Sequence, residues 1–173
     1  MLDQGMLARM LSGRVVVACV GNEWRGDDGA GPFVAKLLGS TDRVTILDCG
    51  ETPENYLGVI VRLKPERLVV IDAADFGGRP GEVRVVARNE IGGGGVSTHA
   101  ARLTILTDYV EAEAGAETFF LAIQPESTEF GRPLGAAVAA AAREVAEDIG
   151  SEIRRAQPEG HQGPREPGDG DGL

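Results

Sequence analysis

Short apolar runs of strand length alternate along this sequence with amphipathic stretches of helical spacing. The apolar runs predict β-strands at residues 14–20, 44–48, 68–72, 82–87 and 118–123. The stretches that follow them predict helices at residues 29–38, 52–63, 99–113 and 134–153. Because continuously apolar strands must be covered on both faces, we predict a single α/β domain with a twisted, mostly parallel sheet sandwiched between helices. The run at 82–87 alternates in polarity and is therefore expected at a sheet edge.

Two segments flank the predicted domain, which covers residues 14–153. Residues 1–13 are interpreted as a short helical or disordered lead-in. We do not expect them to form a signal peptide, because Asp3, Gln4 and Arg9 interrupt their apolar residues. Residues 154–173 are rich in glycine, proline and acidic residues, which predicts a disordered tail.

The formal net charge of −10 bears on the class of partner. Such a balance disfavours nucleic acids and anionic membranes, and it suits a basic partner surface or a metal cation. No apolar run approaches the roughly 18 residues that a membrane span requires. We therefore expect a cytoplasmic protein, and a monomer in the absence of any signal for assembly.

The two cysteines lie far apart, at Cys19 and Cys49, in or at the end of apolar runs. This spacing matches neither a disulfide framework nor a zinc-binding pair. Both are predicted to be buried, reduced side chains that pack as small hydrophobic groups.

A glycine-rich loop, GNEWRGDDGAG, follows the first predicted strand at residues 21–31. Its glycines do not have dinucleotide-fingerprint spacing, and no Gly-Lys-Ser/Thr follows that would indicate a P-loop. Asp27 and Asp28 would also repel a phosphate at the position where it should bind. One aspartate is accounted for if it caps the helix that begins near Gly29, but the second then needs another role.

Two further residues stand at predicted strand ends or helix starts. Asp72 closes the apolar strand LVVID, and His99 precedes the helix predicted from 99. Taken singly, Asp72 is as readily a turn residue, and a lone histidine is more often packed than functional. Sites in α/β folds form beyond the carboxyl ends of the strands, where Asp28, Asp72 and His99 are all expected. Two carboxylates and one imidazole suit a divalent first-row metal such as nickel or zinc.

At these residues the chain resembles the hydrogenase maturation endopeptidases, most closely those of the hydrogenase 3 type. The resemblance spans about residues 14–150 and follows one order: VGNEWRGDDGAG, LDCGETPENY, LVVIDAADFGGRPGEVRVV, STHAARLTILTDYV and FLAIQPES. The loop, the I-D-A strand end and the Thr-His pair are specific in combination, although each alone is weak. His161, in the tail, has no counterpart in the resemblance.

The resemblance implies a peptidase of aspartate or metal type. Its substrate would be the precursor of a nickel-iron hydrogenase large subunit, from which it removes a C-terminal extension once nickel has been inserted. Asp28, Asp72 and His99 match the family's metal-contacting residues, so they are the predicted catalytic and metal-binding set. The nickel would be carried by the substrate, and other divalent cations can occupy the same site. Asp27 is assigned to capping or to orienting a neighbour.

Several alternatives stay open on the residues alone. Hydrolysis can proceed through a metal-bound water or through an aspartate acting as general base on an unbound water. No serine or cysteine sits in a nucleophile elbow, which disfavours an acyl-enzyme. A non-catalytic nickel-centre chaperone that holds the precursor would use the same three residues. A nucleotide-binding protein is a weaker alternative because of the acid pair.

Overall fold

A computed structural model of the chain describes residues 2–86 and 99–156. Residues 87–98, which include the first two residues of the STHAARLTILTDYV segment, and the tail beyond residue 156 lie outside the described residues. Within those described ranges, no helix combines the length and the apolar character that crossing a bilayer requires.

The sheet has five strands in the order β2-β1-β3-β5-β4. They are β1 (Val15–Val20), β2 (Val44–Gly50), β3 (Arg67–Ala73), β4 (Val83–Val86) and β5 (Glu117–Ile123). β1 pairs in parallel with β2 and β3, and β3 pairs in parallel with β5. β4 runs antiparallel to β5 at the end of the sheet, which confirms the predicted edge position.

The helices match the predicted ones in position, with one division. They are α1 (Gln4–Met10), α2 (Ala30–Leu37), α3 (Leu57–Arg62), α4 (Ala100–Ala114) and α5 (Ala136–Arg155). The helix predicted at 52–63 begins instead as a short 3-10 helix, Pro53–Tyr56, and Thr52 forms no side-chain cap bond there. The start at proline agrees with the expectation that its ring suits a first helical turn.

Two apolar clusters lie on opposite faces of the sheet. One joins side chains of α1, α2 and α5 to Val15, Val17 and Cys19 of β1. The other joins side chains of α3 and α4 to Val16 and Ala18 of the same strand. Successive residues of β1 thus serve two cores, which explains why the strand is apolar throughout. The predicted fold class is confirmed.

The lead-in is helical and belongs to the first core. The side chain of Asp3 accepts a hydrogen bond from the Met6 amide at 2.8 Å, which caps α1. Leu7, Met10 and Leu11 are buried against the sheet. Residues before position 14 therefore contribute to the stability of the domain.

Both cysteines are free and buried, as predicted. Burial raises the pKa of the Cys19 thiol far above its ordinary value. Burial, assisted by the Asp48 carboxylate, raises the pKa of Cys49 to about 12. Neither thiol is a ready nucleophile near neutral pH.

The strand order creates a crevice between the carboxyl ends of β1 and β3. From β1 the chain passes through α2 to β2, and from β2 it returns through α3 to β3 on the other side of β1. The two connections lie on opposite faces of the sheet, as the two core clusters record. This is a topological switch point, the usual place for a site in an open α/β sheet.

Candidate active site

The three predicted site residues come together at this crevice. The Nδ1 atom of His99 lies 3.3 Å from Oδ1 of Asp72, and its Nε2 atom lies 4.0 Å from Oδ2 of Asp28. All three residues are buried. The imidazole therefore sits between two carboxylates that arrive from different parts of the chain.

Each residue is positioned by a different element. Asp28 belongs to the 3-10 helix Gly26–Gly29 that follows β1, and its Oδ2 accepts a hydrogen bond from the Asn22 amide at 2.9 Å. Asp72 is the penultimate residue of β3, opposite Ala122 of β5. His99 directly precedes α4 and occupies its N-cap position.

The turn between β1 and the 3-10 helix requires glycine at position 21. Gly21 has φ +139°, and a Cβ atom there would lie 1.9 Å from the carbonyl oxygen of Asp28. Any side chain would push away the residue that carries a site carboxylate. Gly21 therefore allows the sharp turn between β1 and the 3-10 helix.

One of the two adjacent aspartates was expected to cap the helix that begins near Gly29. This expectation is wrong, because neither Asp27 nor Asp28 caps α2. Gly29 is the N-cap residue of α2, and no side chain bonds there. The carboxylate of Asp27 instead accepts hydrogen bonds from the amides of Glu126, Ser127 and Gly135, at 2.8, 3.1 and 2.7 Å. Since Gly135 is the N-cap residue of α5, Asp27 fixes the start of a helix about a hundred residues away and anchors the loop before it.

Glu51 is a fourth residue at the site, and it is absent from the set predicted from sequence. Asp28, Glu51 and His99 each offer one ligand atom, and these atoms lie within 4.8 Å of one another. Glu51 follows β2 directly, so its position at the carboxyl edge of the sheet could have been predicted from the end of that strand. It was missed because it lies within a turn-rich stretch, GETPEN, where acidic residues are ordinarily solvated.

A cavity of about 380 Å³ opens onto these groups, lined by Arg25, Asp28, Glu51, Thr52, His99 and Arg102. Arg102 donates a hydrogen bond to the carbonyl oxygen of Glu51 at 2.7 Å, so α4 holds the Glu51 turn beside His99. A larger cavity, about 490 Å³, lies between the end of α2 and α5 and includes none of these residues. The smaller cavity is the relevant one, because the ionisable groups converge there.

The charges around His99 favour its protonated form in the metal-free protein. Burial lowers the pKa of His99, but its hydrogen bond with Asp72 and the charges of Asp72, Asp28 and Glu51 together raise the pKa above its ordinary value. A metal at Nε2 must displace that proton, so metal binding is expected to strengthen as the pH rises. A proton kept on Nδ1 by Asp72 would leave Nε2 as the coordinating atom.

Comparison with known proteins agrees with the resemblance. The family model for hydrogenase maturation protease, HycI, matches residues 34–152. The hydrogenase 3 maturation protease of Escherichia coli (strain K12) is 38% identical over 122 residues, which cover 69% of this chain and 78% of that protein.

Solved structures give the same result. The crystal structure of a [NiFe] hydrogenase maturation protease HycI from Thermococcus kodakarensis KOD1 superimposes with a TM-score of 0.79 at 36% identity. It covers 86% of this chain and 99% of that one. HybD from Thermococcus kodakarensis, also a [NiFe] hydrogenase maturation protease, has a TM-score of 0.67 at 26% identity, with coverage of 81% and 98%. The chain therefore belongs to the hydrogenase maturation protease family and is an endopeptidase.

Proposed function

We propose that this chain removes the C-terminal extension of a nickel-iron hydrogenase large-subunit precursor after nickel has been inserted. The observation that carries the proposal is the convergence of Asp28, Asp72 and His99 at the switch point of a fold shared with HycI. The nickel arrives as part of the substrate, so it is both the recognition signal and part of the reaction site. The reaction takes place in the cytoplasm on a monomeric enzyme.

The donor set supports engagement of a divalent metal. Carboxylate oxygens and an imidazole nitrogen suit nickel and zinc, and a buried histidine between carboxylates is a common arrangement in metal sites. Asp72 holds Nδ1 of His99 and directs Nε2 toward Asp28. The nickel centre supplies Lewis-acid polarisation of the scissile carbonyl when the precursor brings it into the cavity.

The chain's own residues perform the proton transfers of hydrolysis. An aspartate in the cavity takes a proton from a water whose oxygen bonds to the carbonyl carbon. The carbon–nitrogen bond then breaks, and the proton passes to the leaving amine. Asp28 is the best placed aspartate for this role, because it lines the cavity whereas Asp72 is enclosed behind His99.

Intact mass spectrometry tests this proposal directly. Incubation with the nickel-loaded cognate precursor is expected to yield two products whose masses sum to that of the precursor plus one water. A stable complex without a mass change would instead identify a chaperone that holds the precursor. Such a result would overturn the proposed cleavage.

The Glu51→Gln variant is expected to weaken Ni²⁺ binding to the isolated protein about tenfold, because one carboxylate ligand is lost from the site. Titration calorimetry with Ni²⁺ alone measures the affinity. Glu113→Gln is the matched control, since Glu113 is exposed, lies near the opposite end of α4 from His99 and is outside the ligand group. Equal Ni²⁺ affinities for Glu51→Gln and the unaltered protein would remove Glu51 from the site.

A further inference from the structure

Two large aromatic side chains stand out from the surface on neighbouring loops. Trp24 is 72% exposed and Phe130 is 75% exposed. The residue after Phe130, Gly131, donates a hydrogen bond to the carbonyl oxygen of Trp24 at 2.7 Å, so the two loops touch at this point. We call Trp24 and Phe130 the aromatic patch. Because the backbones of the two loops are in contact, both exposed aromatic side chains stand on the same region of the surface, and exposed aromatic residues beside a cleft are typical of interaction sites.

The backbone beneath the aromatic patch is held firmly. The amides of Gly26 and Asp27 donate hydrogen bonds to the carbonyl oxygens of Arg132 and Ser127, at 3.0 and 2.9 Å. The buried Asp27 carboxylate adds three more bonds to the loop that carries Phe130. Because the loops are ordered before any partner arrives, a partner that contacts them loses little affinity to loop ordering.

Trp24 places one end of the aromatic patch beside the candidate active site. Arg25, the residue after Trp24, lines the site cavity together with Asp28 and His99. Trp24 borders an adjoining cavity of about 290 Å³, and Glu51 lines both cavities. A peptide that fills the site cavity and continues through the adjoining one therefore passes Trp24.

The charges beside the aromatic patch indicate the chemistry of its partner. Glu23 pairs with Lys36, and Glu129 pairs with Arg132 at 2.6 Å. These acids are already neutralised by partners on this chain, so a basic partner gains little from them. The contact is suited to apolar side chains instead.

We propose that the aromatic patch binds an apolar segment of the precursor next to the bond that is cut. This inference rests on the proposed function, because the precursor is the occupant. The patch anchors the substrate chain beyond the reacting groups, and so contributes to substrate binding with little effect on the chemical step. Arg25, the residue after Trp24, lines the same cavity as the carboxylates and would meet the polar backbone of the bound chain there.

Steady-state kinetics on the nickel-loaded precursor test the proposal. Trp24→Ser and Phe130→Ser are each expected to raise KM about tenfold or more while kcat stays unchanged. Tyr109→Ser is the matched control. Tyr109 is also an exposed aromatic residue, 45% accessible, but it lies on α4 about 15 Å along the helix from His99. Unchanged KM in both patch variants would overturn the proposal while leaving cleavage itself in place.

A binding measurement separates this proposal from the cleavage reaction. Trp24 is the only tryptophan in the chain, so labelling with 5-fluorotryptophan gives one ¹⁹F resonance, located in the patch. Addition of the precursor to the labelled Asp28→Asn protein is expected to shift or broaden that resonance. A shift without cleavage by the unaltered enzyme would support the patch and overturn the proposed function. Two other results would overturn the proposal. If the resonance moves with protein concentration alone, a second copy of the chain covers the patch. If the precursor leaves the resonance unmoved, the precursor binds elsewhere.

Discussion

The Asp28→Asn variant is expected to lose processing of the precursor by about 10³-fold while it remains folded. Asparagine keeps the size of the side chain and an oxygen that can accept the hydrogen bond from the Asn22 amide, now made at 2.9 Å. What it removes is the negative charge and the basic oxygen that the site offers to metal and water. Loss of activity therefore reports on chemistry, with little contribution from folding.

Intact mass of the precursor over time measures the loss, and circular dichroism with a urea titration checks the fold. Asp42→Asn serves as the control, because Asp42 is exposed and lies before β2, away from the site. His99→Ala is expected to give a similar loss, although it also leaves a space beside the buried Asp72. Normal processing by folded Asp28→Asn would remove Asp28 from the catalytic set.

The Gly31→Ala variant is expected to lose about 3 kcal/mol or more of unfolding free energy. A Cβ atom at position 31 would lie 2.1 Å from the carbonyl oxygen of Val20 and 2.9 Å from that of Ile71. Both contacts are with backbone atoms of β1 and β3, which cannot move without displacing the strands beneath the site. Alanine favours a helix over glycine by roughly 1 kcal/mol, which is too little to offset this overlap.

Thermal and urea unfolding measure the effect, with a fall in Tm of about 6–12 °C expected for a chain of this size. Gly39→Ala is the matched control, since a Cβ atom at Gly39 has no neighbour within 4 Å. The control is expected to change stability by no more than about 0.5 kcal/mol. A Gly31→Ala protein as stable as the control would contradict the close packing of α2 on the sheet.

Much of the fold could be predicted because its signal is local. The strand predicted at 68–72 is apolar at every position before its last residue, Asp72, and only a sheet covered on both faces requires such a run. In the helix predicted at 99–113, Leu103, Leu106 and Val110 are buried, as the spacing of apolar residues in an amphipathic helix requires. The buried face of α1 was not anticipated, since seven residues carry too short a pattern to separate a packed helix from a frayed one.

The site was harder to predict because its geometry depends on chain direction. His99 was placed at the carboxyl edge on the argument that it follows a strand. β4 is antiparallel to β5, so its own end points toward the opposite edge of the sheet. His99 nevertheless lies beside Asp72, and residues 87–98, which connect it to β4, lie outside the described part of the chain. The predicted position of His99 at the carboxyl edge is therefore correct, but the strand before it, β4, does not end at that edge.

The contacts of Asp27 and Glu51 could not be predicted from local sequence patterns. The partners of Asp27 lie 99 to 108 positions away in sequence, so only the folded chain shows that it fixes the loop before α5. Glu51 is exposed and stands in a turn, and its proximity to His99 depends on the order of β1 and β2. The roles of Asp28, Asp72 and His99 in binding metal and in catalysis stay predictions, supported by geometry and by family membership.

The most direct test of the central claim compares nickel-loaded and nickel-free forms of the same precursor. Each is incubated with the enzyme, and intact mass is recorded over time, with the Asp28→Asn variant as the inactive reference. We predict that the C-terminal extension is lost from the nickel-loaded precursor alone, and that the Asp28→Asn enzyme leaves both forms intact. Equal cleavage of the two precursors would contradict nickel as the recognition signal for this enzyme.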